Sequence, residues 1–162
     1  DMVVYRWTPA AGTQLVLREG MALGTLGTYL KAFASLTAAN PVEAQSRYQL
    51  GSGILAQVTF GTGAAGIIRA EPGAVELIAA TGQPLGGTVG APLLYTFSLP
   101  FGTTADWVGG LVRFRANVAG VTSANALAIV SGQPGQDYRT IAARTGSLAT
   151  DVAGNNLPGT VY

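Results

Sequence analysis

Residues 46–80 decide the fold of this chain, and they read SRYQLGSGILAQVTFGTGAAGIIRAEPGAVELIAA. Short runs rich in β-branched and aromatic residues alternate here with breaks of glycine and proline, at 51–53, 61–63 and 72–73. That alternation is typical of consecutive antiparallel strands joined by tight turns. The stretch therefore predicts neighbouring β-strands.

The same stretch contains the pattern Gly61-Thr-Gly-Ala-Ala-Gly66, which fits the G-x-G-x-x-G fingerprint of dinucleotide-binding proteins. That fingerprint requires a helix next, because the pyrophosphate binds at a helix N-terminus. Pro72 follows too soon for such a helix. The acidic residue expected about 20 residues further on is also missing, since Glu76 is too early and Asp106 too late. We interpret the pattern as a glycine-rich connection between strands.

The rest of the chain repeats this style and predicts about nine or ten short strands in all. Outside the central stretch, the predicted strands are 1–7, 13–18, 93–101, 111–118, 125–130, 138–144 and a short closing strand at 159–162, with 21–23 as a short return after the second strand. Period-two alternation predicts which side chains share a face. Two predicted sets are Val3, Tyr5 and Trp7, and Leu93, Tyr95, Phe97 and Leu99. In 111–118, the side chains predicted to face inward are Val112, Phe114, Ala116 and Val118. Those predicted to face outward are Leu111, Arg113, Arg115 and Asn117.

Residues 26–39 fit two patterns. Apolar residues at Leu26, Tyr29, Leu30, Phe33 and Leu36 have helical spacing, and Asn40-Pro41 would end a helix. The same segment also alternates as a strand would. We favour a helix or an irregular segment here.

These elements predict an all-β protein, an antiparallel sandwich or a jelly-roll-like barrel, with at most one or two short helices. Residues 1–162 are expected to form a single β domain with an extended N-terminal strand and a loop-rich tail from residue 147. The Gly- and Pro-rich segment 81–92 is expected to cross between two sheets.

Composition restricts the function. Only 10% of the residues are charged, the formal net charge is +1, and the chain contains no Cys and no His. Thiolate catalysis, His-based triads and ordinary zinc sites are therefore excluded, and we expect no enzyme activity and no cofactor. With one lysine, eight arginines and no dense basic run, nucleic acid is not an expected partner. No apolar run reaches the roughly 18–20 residues that span a bilayer.

Several groups of side chains are candidates for a functional site. Glu71 and Glu76 are expected to lie on the surface of one hairpin rather than to form a catalytic pair, and 151–156 offers too little charge for calcium. Arg113 and Arg115, with Lys31, Arg139 and Arg144, would form a basic face or an edge that resists aggregation. Trp107 is expected to close one end of the sheets, and the alternative is that it stacks on a sugar.

By elimination we expect a structural assembly subunit, and within that class a virion protein such as a capsid decoration or cement protein. Its expected partners are a protein lattice or copies of itself, in a dimer or a trimer. The candidate assembly contacts are Val3, Tyr5, Trp7, Trp107, Arg113 and Arg115. One alternative is an extracellular or cell-surface pilus or fibre subunit that donates residues 1–7 as a strand to its neighbour. The chain begins at Asp1, which leader cleavage would explain, as would a propeptide or a shortened sequence. A second alternative is a carbohydrate-binding module that uses Tyr95, Trp107 or Tyr138.

Overall fold

The structure is a computed structural model, and it describes residues 1–38, 53–87, 89–97, 102–103, 108–132, 140–150 and 156–161. These residues form fourteen strands and three single 3-10 turns, and no α-helix occurs among them. The strands are β1 (Val3–Thr8), β2 (Gly12–Arg18), β3 (Ala22–Leu23), β4 (Thr28–Ala38), β5 (Ile54–Phe60), β6 (Ala65–Glu71), β7 (Ala74–Ala80), β8 (Leu94–Phe97), β9 (Gly102–Thr103), β10 (Val108–Phe114), β11 (Leu127–Gly132), β12 (Thr140–Arg144), β13 (Leu148–Thr150) and β14 (Asn156–Val161). The 3-10 turns are Gly24–Leu26, Leu85–Gly87 and Ser123–Asn125.

The central sheet has the order β3-β4-β5-β6-β7, and all of its pairs are antiparallel. Its last three strands come from the stretch that decides the fold, so the prediction of consecutive antiparallel strands is confirmed there. Residues 61–64 connect β5 to β6, with the Phe60 amide donating to the Ala64 carbonyl at 2.9 Å. Because the next element is a strand, the pattern is not a dinucleotide fingerprint; residues 61–64 are the predicted connection, whereas Ala65 and Gly66 already belong to β6.

The second sheet has the order β12-β11-β10-β8, with β9 pairing to β10. The chain reaches it from β7 through residues 81–93, where Pro84 bridges to Leu93 and the Gly82 amide donates to the Leu94 carbonyl at 2.7 Å. This segment therefore crosses between the two sheets, as predicted. Two further pairs, β1-β2 and β13-β14, form separate two-stranded sheets.

Apolar residues cover both faces of the central sheet. One face shares a buried cluster with the second sheet, and this cluster includes Leu55, Ile67, Leu94, Phe97, Val112, Phe114, Ala128 and Val130. The opposite face shares another cluster with β2, and this one includes Val16, Leu17, Leu30, Ala56, Val58 and Ile68. The central sheet therefore lies between the second sheet on one side and the first hairpin on the other.

Residues 28–38 form strand β4, so the favoured helical interpretation of 26–39 is wrong. The register with β5 shifts between Leu30 and Ala32 and again between Phe33 and Ser35. Each β-bulge adds one residue, so that side chains three apart rather than two apart share a face. Leu30 and Phe33 accordingly contribute to the same cluster, which is why the strand has helix-like apolar spacing.

Two predicted faces in the second sheet also need correction. In β8, Leu94 and Phe97 are buried while Tyr95 is exposed, because the register with β10 skips Tyr95. In β10, Val112 and Phe114 face inward and Arg113 outward, as predicted. The strand ends at Phe114, however, and Ala116 is exposed in the turn that follows.

The all-β antiparallel class is confirmed by the described residues. The strand count is higher than the predicted nine or ten, in part because β3 and β9 contain two residues each and β4 was not expected. The predicted loop-rich tail contains the antiparallel pair β13-β14. In the described part of the chain, no helix has the length and apolar character needed to cross a membrane.

Candidate assembly surface

The first hairpin, β1-β2, carries the two aromatic candidates for assembly contacts that the structure describes, Tyr5 and Trp7, and both are exposed. β1 contains Val, Tyr, Trp and Thr, which favour extended structure. Its turn is closed by the Ala11 amide, which donates to the Thr8 hydroxyl at 3.1 Å. The chain re-enters the second strand at Gly12, whose φ of 65° lies in the left-handed region that glycine tolerates.

The base of the hairpin is tied to the rest of the fold by hydrogen bonds. The Met2 amide donates to the Glu19 carboxylate at 2.9 Å, and the Glu19 amide donates to the Met2 carbonyl at 3.1 Å. The Gly20 amide then donates to the Leu30 carbonyl of β4 at 2.7 Å. These bonds fix the hairpin where it leaves the central sheet.

The two faces of the hairpin have different surroundings. On the inner face, Val16 and Leu17 are buried and Val4 packs against their cluster. Val16 and Leu17 are adjacent yet both buried, because the register shift between Val4 and Tyr5 leaves Val16 as a bulge residue. The outer face, called the hairpin face below, is formed by Val3, Tyr5 and Trp7 of β1 and Thr13, Leu15 and Arg18 of β2.

The hairpin face is exposed in the isolated chain, and four of its six side chains are apolar or aromatic. Tyr5 is 61% exposed and Trp7 68%, and Val3 and Leu15 beside them are also exposed. Taking about 150–250 Å² for the full area of such an aromatic side chain, the two aromatics alone present roughly 200–300 Å² to solvent. That Tyr5 and Trp7 make assembly contacts stays a prediction, but the isolated chain does not bury them within its own sheets.

The second sheet presents a different outer face. Arg113 and Arg115 are exposed, and Ile129, Ile141 and Tyr95 are exposed nearby on β11, β12 and β8. Arg113 lies in register between Thr96 and Leu127, on the side of the sheet away from the core. This surface combines like charges with scattered apolar side chains.

Arg144 does not join that basic face. Its backbone pairs with the buried Ala128, so its side chain is on the inner side of the second sheet. The guanidinium carbon lies 5.3 Å from the centre of the Phe114 ring, and Nε donates to the Asn125 carbonyl at 2.7 Å. Lys31 lies on β4 of the other sheet, so a single basic face containing Lys31, Arg113 and Arg144 does not form.

The remaining candidates are placed as follows. Trp107, Tyr138 and Arg139, and residues 151–155 of the calcium candidate, lie outside the described residues. Glu71 pairs with Arg69 at 3.1 Å, and Glu76 lies directly across from Arg69 in the hairpin of β6 and β7. The two carboxylates therefore flank a cation on a partly exposed strand pair, as the surface interpretation predicted.

Within the described ranges, no cluster of three or more metal-ligating His, Cys, Asp or Glu side chains occurs. No protein-family model, no curated protein and no solved structure matches this chain. The surfaces of the chain itself therefore carry the information about its function.

Proposed function

We propose that this chain is a structural subunit of a protein assembly and that the hairpin face is a contact with a neighbouring subunit. The supporting observation is the exposure of Tyr5 and Trp7 on a hairpin whose other face is packed against the core. Burying two such aromatics stabilises an interface by roughly 3–6 kcal/mol before entropy costs. Aromatic side chains are also enriched in protein interfaces.

The assembly is, in this proposal, a virion, and the chain decorates or cements its capsid. Low overall charge supports this, because a surface with few charges loses little solvation energy when neighbouring subunits cover it. The packing of the two main sheets through one shared cluster supports the finer description of the fold as an antiparallel sandwich. Arg113 and Arg115 offer a second contact, to an acidic surface of the lattice.

The strand-donation alternative is less well supported. Strand β1 already pairs with β2 at six positions from Val3–Arg18 to Thr8–Gly12, and donation to a neighbour would require their separation. The carbohydrate alternative keeps one described platform, Tyr95, which is half exposed. A glycan array without binding would remove it.

The test compares particle association of tagged variants produced in the native source. Wild-type chain should sediment with large particles in many copies and label them in immunogold electron microscopy. Trp7→Ser should shift most of the chain to the light fractions. Tyr29→Ser is the matched control, because Tyr29 is a comparably exposed aromatic away from the hairpin face, and it should sediment like wild type. A wild-type chain found only as a free, low-copy monomer would contradict the proposal.

A further inference from the structure

The hairpin face has an electrostatic pattern along its length. At its base, the exposed Arg18 lies directly across from Val3; at its tip, Trp7 lies across from Thr13. Tyr5 and Leu15 form the row between them. The face therefore presents a cation at one end, an electron-rich indole ring at the other and apolar side chains in the middle.

We infer that this face is a two-fold interface with a second copy of this chain, in which Trp7 of each copy lies over Arg18 of the other. This inference rests on the proposed function, since it names the neighbour that covers the hairpin face. A guanidinium over an indole ring is a favourable cation–π contact. A two-fold interface contains every contact twice, so one Trp7–Arg18 pair in each direction would form.

The positions of the rows permit this arrangement. On β1, Trp7 is two residues from Tyr5 in one direction and Val3 is two residues away in the other. At about 3.3 Å per residue, both end rows are then roughly 7 Å from the middle row. A half-turn about an axis that runs along the Tyr5–Leu15 row thus places the Trp7–Thr13 row of one copy opposite the Val3–Arg18 row of the other, with the apolar middle rows in contact. Trp7 then lies diagonally across from Arg18, offset by one strand spacing of about 4.8 Å, which two such long side chains can span.

The charge pattern favours the hairpin face, rather than the outer face of the second sheet, as the surface that contacts a second copy. There, Arg113 and Arg115 are both exposed and would meet like charges across a two-fold axis. On the hairpin face, by contrast, the single arginine meets an aromatic ring.

The interface would be small. The aromatic pairs of two copies remove roughly 400–600 Å² from solvent. With Val3, Thr13, Leu15 and Arg18 of each copy, the buried area approaches the lower limit of about 1,200 Å² for specific interfaces. The dimer is therefore expected to be weak in dilute solution and to be favoured at the high local concentration of an assembly.

Sedimentation equilibrium of the purified full chain over a wide concentration range tests the inference. The wild-type chain should show a monomer–dimer equilibrium. Trp7→Ser and Arg18→Glu should each raise the dissociation constant of the dimer at least about tenfold. Arg18→Lys keeps the positive charge and should retain part of the affinity. Lys31→Glu is the matched control, because it makes the same charge change at an exposed position of strand β4 in the central sheet. It should leave the dissociation constant unchanged.

A mixing experiment tests the exchanged contact itself. Homodimers of Trp7→Ser or of Arg18→Glu lose both Trp7–Arg18 pairs. A mixed dimer keeps one pair, between Trp7 of the Arg18→Glu chain and Arg18 of the Trp7→Ser chain. Mixing the two variants should therefore give more dimer than either variant alone at the same total concentration, and an absence of that gain would overturn the inference.

The two proposals fail in different ways. If the wild-type chain stays monomeric at every concentration, yet joins native particles in a Trp7-dependent manner, the dimer inference is contradicted and the proposed assembly function is retained. A chain that dimerises with the expected variant pattern, yet never joins a larger particle, would remove the assembly function and leave the dimer.

Discussion

The central sheet and the first hairpin are built from similar residues and use them differently. In β6, the adjacent residues Ile67 and Ile68 are both fully buried, because each face of that sheet is covered by another layer. In β1, the alternating residues have different environments: Val4 packs against the core, whereas Tyr5 is 61% exposed. Apolar character alone therefore does not show which face of a strand the chain itself covers. The larger apolar side chains of β1 are on the uncovered face.

The largest expected effect is in the central sheet. Ile67→Ala removes a fully buried side chain from the cluster shared by both main sheets, and should lower the free energy of unfolding by about 2–5 kcal/mol. The measurement is urea unfolding with the midpoint and slope compared to wild type. Ile129→Ala, at a partly exposed position of β11, is the matched control and should cost less than about 1 kcal/mol. Equal losses of unfolding free energy for the two variants would contradict the burial of Ile67 between the two main sheets.

An intermediate effect is expected at the turn between β6 and β7. Gly73 has a φ of 81°, which the residue after Pro72 needs in a type II turn, and a Cβ at this position would meet no atom within 4 Å. Gly73→Val should therefore cost about 1–2 kcal/mol through backbone conformation alone, without a steric collision. Thermal unfolding measures this loss, and Ala74→Val, on the neighbouring exposed strand residue, serves as control. A melting midpoint equal to that of wild type would contradict the left-handed conformation.

The sequence predicted which residues form strands better than it predicted which side chains share one face of a strand. Residues 54–60, 65–71 and 74–80 were predictable because glycine and proline mark their turns and β-branched residues fill them. Faces were wrong or ambiguous where β-bulges interrupt the alternation: Tyr95 is skipped in the register of β8, and the shifts in β4 gave it helical spacing. A bulge depends on pairing with a partner strand, so one strand's sequence does not show it.

The candidate surface was predictable only in part. The alternation of Val3, Tyr5 and Trp7 on one face followed from the sequence, and the structure has these side chains on one face of β1. What the sequence lacked was the second strand: the pairing of β1 with β2 adds Leu15 and Arg18 to the same face. Long-range register depends on the fold as a whole, so the combined surface appeared only with the structure.

The smallest effect on folding is expected at the hairpin face, and it separates the two regions most clearly. Trp7 is 68% exposed, so Trp7→Ser should change the free energy of unfolding of the monomer by no more than about 0.5–1 kcal/mol. Leu17→Ala, on the buried side of the same hairpin, should cost about 2–5 kcal/mol. Both are measured by urea unfolding at a concentration where the chain is monomeric. A Trp7→Ser loss as large as that of Leu17→Ala would show that Trp7 packs within its own chain, and the hairpin face would then lose its role as an assembly contact. A small loss together with weakened association would locate the contribution of Trp7 between subunits.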